Sequence, residues 1–513
     1  MKRFIYKTSV LIFTVLLFNG CSKQLELSPI SSISDTNFWQ TPEQFDAFVA
    51  GIHARFRSHT LAFQILGEMR SDIFGTEPGS SGTFSGEATQ GLERLWQQNF
   101  DLDNTGVSNF GGFYSNIVQL NLLIDKINTS KVLTPSNASY YLGIAYGMRA
   151  FYYFHLTRAW GDVVIQTEPI STFDISNLAK AAAPASEVMA LIKSDIDQSV
   201  NSFGSDYSFR ARKSYWSKSA TLMLKAEYYL WTAHRGGGTT DAGIALSALN
   251  DIQSNAAGLG LMATFPEVFA AGAANKGNKE IIFAIRNLLN ENTLPFSNTF
   301  YPQTALLSNY WDSLEMRKFD VTKENYGGLL RAPVQSSTYR KFNDLDSRKR
   351  FTIQAAYNSP SEGVFTLAGC FVKKYEGEQE QGVRRYTNDF PIYRFADLLL
   401  LKAEAKVILG QDPAEEINLV RSRAFGSNYD PAIHAYPNQN IDADPREALL
   451  QERLYEFVFE GKRWLDLRRM GDQYVYEHTA VNDSEPYKLL WAIDRNALTN
   501  NRALKQNPGY PQF

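Results

Sequence analysis

Residues 452–471 read ERLYEFVFEGKRWLDLRRMG. Spacings of three and four place Glu452, Glu456, Glu460 and Arg463 on neighbouring positions of a helix, and Arg453, Asp466 and Arg468 add charge to the same segment. Such a cluster has two readings. Carboxylates and guanidiniums at helical spacing make ion pairs that hold packed elements together. A glycosidase instead needs two carboxylates about 5 to 10 Å apart across a cleft, a separation that sequence does not display. The ion-pair reading is preferred. Just upstream, Asp444-Pro445-Arg446-Glu447 offers an N-cap, a proline at the first helical position and a glutamate at the third, so the helix is expected to run to about Met470.

Working outward, Ala396, Leu399, Leu400, Ala403 and Val407 form a helical stripe over 392–409, and 414–423 continues it. Upstream of 389 the pattern dissolves into Gly, Asn, Pro and aromatics back to about 257, with strand-like runs at 280–286 (EIIFAIR) and 369–375 (GCFVKKY). A stretch of that length without helices usually carries function or covers an interface. Helical period returns at 214–235, closed by three glycines, and at 186–200, 140–160 with Gly161 as its stop, and 113–127. Thr41-Pro42-Glu43-Gln44 is a capping box with a proline at the first position, opening a helix to about Arg57. Ala145, Ala150, Ala220 and Ala226 stand where paired helices must approach closely, as in helix-turn-helix repeats. The expectation is an all-α protein with tetratricopeptide-like helix pairs. One domain spans 37–513, its scaffold at 37–256 and 391–470, its irregular regions at 67–112 and 257–390. Residues past 470 are expected to wrap over the surface.

The charge balance, 51 Lys and Arg against 54 Asp and Glu, argues against a nucleic-acid partner. With 34 Phe, 26 Tyr and 8 Trp, aromatics exceed what packing obviously requires, so some are expected to be exposed for binding. Lys2, Arg3 and Lys7 precede an apolar run, and Gly20 stands before Cys21, the pattern of a lipoprotein signal peptide over 1–20 with Cys21 as the acylated residue and 21–36 as a tether. Cys370 is then without a disulfide partner, and thiolate zinc is excluded by count. Six His with no His-Glu-x-x-His argue against catalytic zinc. Gly258 to Ala263 fits G-x-G-x-x-A but follows a helix, and Asn278 breaks the Walker-like run before Lys279, so neither is read as a nucleotide loop.

The 452–471 segment resembles the E-R-x-x-E-F-x-x-E-G-x-R-x-x-D-L-x-R motif of the SusD/RagB family. Five further segments agree in order: DTNFWQTPEQFDAFVAGIHARF from 35, RAFYYFHLTRAWGDVV at 149–164, YRKFNDLDSRKRFT at 339–352, PIYRFADLLLLKAEAKVILG at 391–410 and QNPGY at 506–510. The chain departs from the family pattern before QNPGY, where LLWAIDRNALTNNRALK intervenes. The resemblance implies a non-catalytic lipoprotein on the outer membrane, partnered by a SusC-like TonB-dependent transporter to which it delivers a nutrient, most often a glycan.

A pyranose offers an apolar face of C–H groups and a rim of hydroxyls, so its site needs an aromatic platform ringed by hydrogen-bonding groups. Trp96 with Asn99, and Tyr301, Tyr310 and Trp311 in the central region, are the candidates; Asp72 lies near a position that often faces ligand in the family. No cofactor is implied, though Asp- and Asn-rich loops leave room for a structural calcium ion. The rival readings are peptide binding on the same scaffold, a glycosidase, and a scaffold with no small ligand.

Overall fold

The computed structural model describes residues 38–77, 82–106, 110–169, 179–210 and 212–513. The signal peptide, Cys21 and the tether lie outside them. The chain is mostly helical. Helices Pro42–Ser58, Phe110–Thr129, Pro135–Trp160, Ala185–Phe203, Lys218–Thr232 and Gly238–Asn255 pack in consecutive pairs, and Phe395–Ile408, Ala414–Phe425 and Pro445–Phe457 complete the scaffold. The first begins as its sequence dictates, with Gln44 Oε1 accepting from the Thr41 N–H at 3.0 Å and Phe45, Val49, Ile52 and Phe56 buried on one stripe. Ala145, Ala150, Ala220 and Ala226 are all buried, and a closer approach on the helix Pro135–Trp160 uses glycine: a Cβ on Gly147 would fall 2.1 Å from Trp216 Nε1.

Among the described residues, strands lie in the central region. β1 (Ile281–Ile285) pairs antiparallel with β8 (Phe390–Arg394), while β2 (Trp311–Asp312), β3 (Arg317–Lys318), β4 (Ile353–Tyr357) and β5 (Leu367–Val372) form a sheet in the order β3-β2-β4-β5. A small hairpin of β6 (Glu378–Glu380) and β7 (Val383–Arg385) stands apart.

Three expectations need correction. The last long helix does not reach Met470 unbroken: it ends at Phe457, and Arg463–Met470 is a second helix. Between them Phe459 and Gly461 take φ of +69° and +70°, a conformation held because their N–H groups turn to the Glu68 carboxylate at 2.8 and 3.2 Å. The three glycines at 236–238 are not a stop but a kink that leads directly into Gly238–Asn255. Nor does the C-terminal segment only wrap the surface: Trp491, Ile493 and Leu498 are core residues. Gln506 holds both backbone groups of Ile493, and Asn507 Nδ2 donates to the carbonyls of Trp160 and Trp491 at 2.9 Å.

The 452–471 charges are interior. Arg394 binds Glu280 at 2.7 Å, Glu456 at 2.6 Å and Glu460 at 2.8 Å. Arg348 reaches Glu452 and Glu456, and Arg421 binds Glu452 and Asp442. A second chain runs from Asp397 through Arg453 and Asp466 to Arg469 and Glu404. Burial opposes ionisation of Glu404, Glu456 and Asp397, yet the facing cations win: Arg469 and His234 hold Glu404 well below the ordinary range, Arg423, Arg394 and Arg348 do so for Glu456, and Lys462 and Arg453 bring Asp397 to about 2. A carboxyl depressed on folding contributes stability above its unfolded value and loses it as pH falls through its folded value. Through these carboxylates the free energy of unfolding is expected to fall from about pH 4.5 toward pH 2. Urea titrations at stepped pH check this, and a level profile down to pH 2 would refute it.

Candidate functional site

The sheet β3-β2-β4-β5 positions the exposed aromatics. Neighbouring residues of an extended strand point to opposite faces, so Tyr310 and Trp311 part company. On one face the Tyr310 hydroxyl donates to the Phe84 carbonyl at 2.5 Å, and the two rings meet edge to face at 5.2 Å. Phe84 sits so closely over β5 that a Cβ on Gly369 would lie 2.3 Å from its ring. Tyr310 thereby pins the loop around residue 84 to the sheet.

On the other face Trp311 stands opposite Tyr357 across the β2–β4 ladder. Phe365 joins them from the loop between β4 and β5, with ring centroids 6.0 Å from both Trp311 and Tyr357. All three rings are partly exposed. Asn358 and Thr366, exposed at the base of that loop and hydrogen-bonded to each other, border the rings with amide and hydroxyl groups. The result is a shallow apolar shelf with a polar rim, suited to the C–H face and hydroxyls of a sugar ring. The Trp311 indole N–H is buried with no hydrogen-bond partner among the described residues.

The other sequence candidates stand elsewhere. Trp96, in the short helix Glu93–Trp96, is 7 % exposed and part of the core. Tyr301 is fully buried, stacked on Tyr326 at 5.3 Å and against Tyr386 at 4.7 Å. These two rings present no open face; each has a large area to bury, and apolar neighbours took it. Asn99 is exposed, its N–H bonded to the Arg94 carbonyl. Asp72 is held in a fork by Arg463 Nε and Nη2 at 2.9 and 3.0 Å and by Lys341 at 2.8 Å. Burial would raise its carboxyl, but these two cations keep it well below the ordinary range. Asp312, beside Trp311, caps the β2–β3 turn through the N–H groups of Leu314 and Glu315. Tyr357 and Phe365 were missed by sequence reasoning. Their signal was YNSPSEGVF (357–365), aromatics at both ends of a Pro- and Gly-bearing turn.

A helical scaffold bearing a shallow aromatic shelf defines a binding protein. Residues 318–510 match the model of the SusD family, and residues 25–230 match a second model described as starch-binding, associating with outer membrane. The solved structure of B. fragilis NanU is 44 % identical over 94 % of this chain and 100 % of its own, with a TM-score of 0.87. A SusD superfamily protein from Bacteroides vulgatus is 40 % identical over 92 % of this chain and 100 % of its own, with a TM-score of 0.85. The SusD-like protein P38 of Formosa agariphila is 26 % identical over 99 % of this chain and 100 % of its own. The chain belongs to the SusD/RagB family of non-catalytic, glycan-binding proteins associated with the outer membrane.

Proposed function

We propose that the protein captures an oligosaccharide or polysaccharide on the shelf of Trp311, Tyr357 and Phe365 and delivers it to a SusC-like TonB-dependent outer-membrane transporter. Cys21 is its lipid anchor and holds it on the outer face of that membrane. Capture is an equilibrium: rings stack on the apolar faces of sugar units, Asn358 and Thr366 exchange hydrogen bonds with hydroxyls, and no bond is broken. The observation that carries this reading is the trio of partly exposed rings on one face of the sheet. Two structures that share the fold at 20 % identity are a surface glycan-binding protein A from Bacteroides uniformis and a laminarin binding SusD-like protein.

Affinity electrophoresis of the protein lacking residues 1–21 against neutral polysaccharides, laminarin and starch among them, tests the reading. Retardation by at least one polysaccharide without hydrolysis is expected. Trp311→Ala removes the largest ring of the shelf and is expected to weaken that binding by about 2 kcal/mol, roughly thirtyfold. Silence across the panel, or unchanged retardation of the variant, would overturn it.

A further inference from the structure

A roomy cavity lies away from the shelf. It lies between the helix Pro42–Ser58, the segment 212–215 and β1, with a volume of about 570 Å³, inside the ~300–1,000 Å³ typical of small-molecule sites. Its floor is made of small residues, Ala50, Gly51 and Ala54 on the helix and Ala284 on the strand. Its rim is cationic. Arg57 Nη1 binds Glu291 at 2.7 Å and Arg286 Nη2 binds the same carboxylate at 2.9 Å. The remaining guanidinium nitrogens of both have no protein acceptor among the described residues. Arg212 completes the rim: its guanidinium lies 5.0 Å from the Tyr215 ring centre, and its nearest carboxylate, Asp46, is 3.9 Å away.

The wall beneath Arg212 is fixed. Tyr215 stacks on His53 at 4.3 Å. His53 Nδ1 donates to the Val49 carbonyl at 2.8 Å, and its Nε2 accepts the Trp216 N–H at 3.0 Å, so the ring is neutral and fully bonded. Three guanidiniums against two carboxylates leave the rim with one positive charge. A guanidinium fork matches a planar carboxylate in two-point contact, and a monoanion balances that charge where a phosphate dianion would exceed it. The small-residue floor admits a saturated ring against the helix.

We propose that this cavity is a binding site for a carboxylate-bearing small molecule with a compact saturated frame, its carboxylate held by Arg57 and Arg286 and its frame lying on Ala50, Gly51 and Ala54. The site is separate from the aromatic shelf and does not depend on it. Glucuronate, glucose and inorganic phosphate, titrated calorimetrically into the full chain in detergent, serve as probes. Glucuronate is expected to bind at least tenfold more tightly than either of the others, and less tightly as salt is raised. Arg286→Gln is expected to weaken it about tenfold or more. Gly51→Leu fills the cavity from an exposed helical position where a Cβ meets nothing within 4 Å, so binding is lost while the thermal midpoint is kept or raised. Trp311→Ala leaves glucuronate binding unchanged, which separates this site from the glycan shelf. Equal affinity for glucose and glucuronate, no binding of glucuronate, or undiminished binding by Gly51→Leu would each overturn the proposal.

Discussion

Glu456→Ala is expected to lower the free energy of unfolding by about 3–5 kcal/mol, read as a shift of the urea midpoint with little change in slope. The Glu456 carboxylate faces three guanidiniums, those of Arg348, Arg394 and Arg423, and all four side chains are almost wholly buried. Removing it leaves Arg394 with Glu280 and Glu460, and Arg348 with Asp346 and Glu452. Arg423 keeps only Glu280. An interior cation that loses a counter-charge regains no water in exchange, and this sets the magnitude. Pairing the change with Arg423→Met should return part of the loss, because the worst-placed cation leaves with its anion. Exact additivity of the two single losses would refute the coupling.

Gly67→Ala is expected to destabilise by about 3 kcal/mol or more, although alanine is the better helix former by about 1 kcal/mol. Gly67 lies in the helix Thr60–Glu68 with its α-carbon against the bend that breaks the C-terminal helix. An added Cβ would sit 1.7 Å from the Gly461 carbonyl oxygen and 2.5 Å from its carbon. Backbone cannot rotate aside as a side chain can. Moving that bend also disturbs Glu68, whose carboxyl burial pushes up to about 8 and which accepts the N–H groups of Phe459 and Gly461. The same exchange at Gly51, exposed on the helix Pro42–Ser58 with nothing within 4 Å, is expected to stabilise by up to about 1 kcal/mol. Denaturation of the two variants side by side checks both signs, and a Gly67→Ala protein as stable as the parent would refute the close-contact account.

The helices were legible where their determinants are local. A capping box at Thr41 and an aspartate cap at Asp444 set two starts in the chain itself, and apolar stripes set the buried faces. The break at Phe459 was not legible, because its positive φ is imposed by a carboxylate and a glycine almost four hundred residues away. The site divides in the same way. Trp311 could be proposed from its polar surroundings, but Trp96 has equally polar neighbours and is core. What separates them is tertiary packing, on the Trp311 side the docking of Phe84 above Gly369. Tyr357 and Phe365 become a pair with Trp311 only once the β2–β4 register is known.

The interior ion network also bears on the order in which the chain becomes a protein. Arg348, Arg394, Arg421 and Arg423 leave the ribosome before Glu452, Glu456 and Glu460. Until these three emerge, four cations destined for the interior lack part of their counter-charge, which disfavours a dry collapsed state of the central region. Early arrest of the central region in a compact form is thereby disfavoured until almost all of the chain has been made.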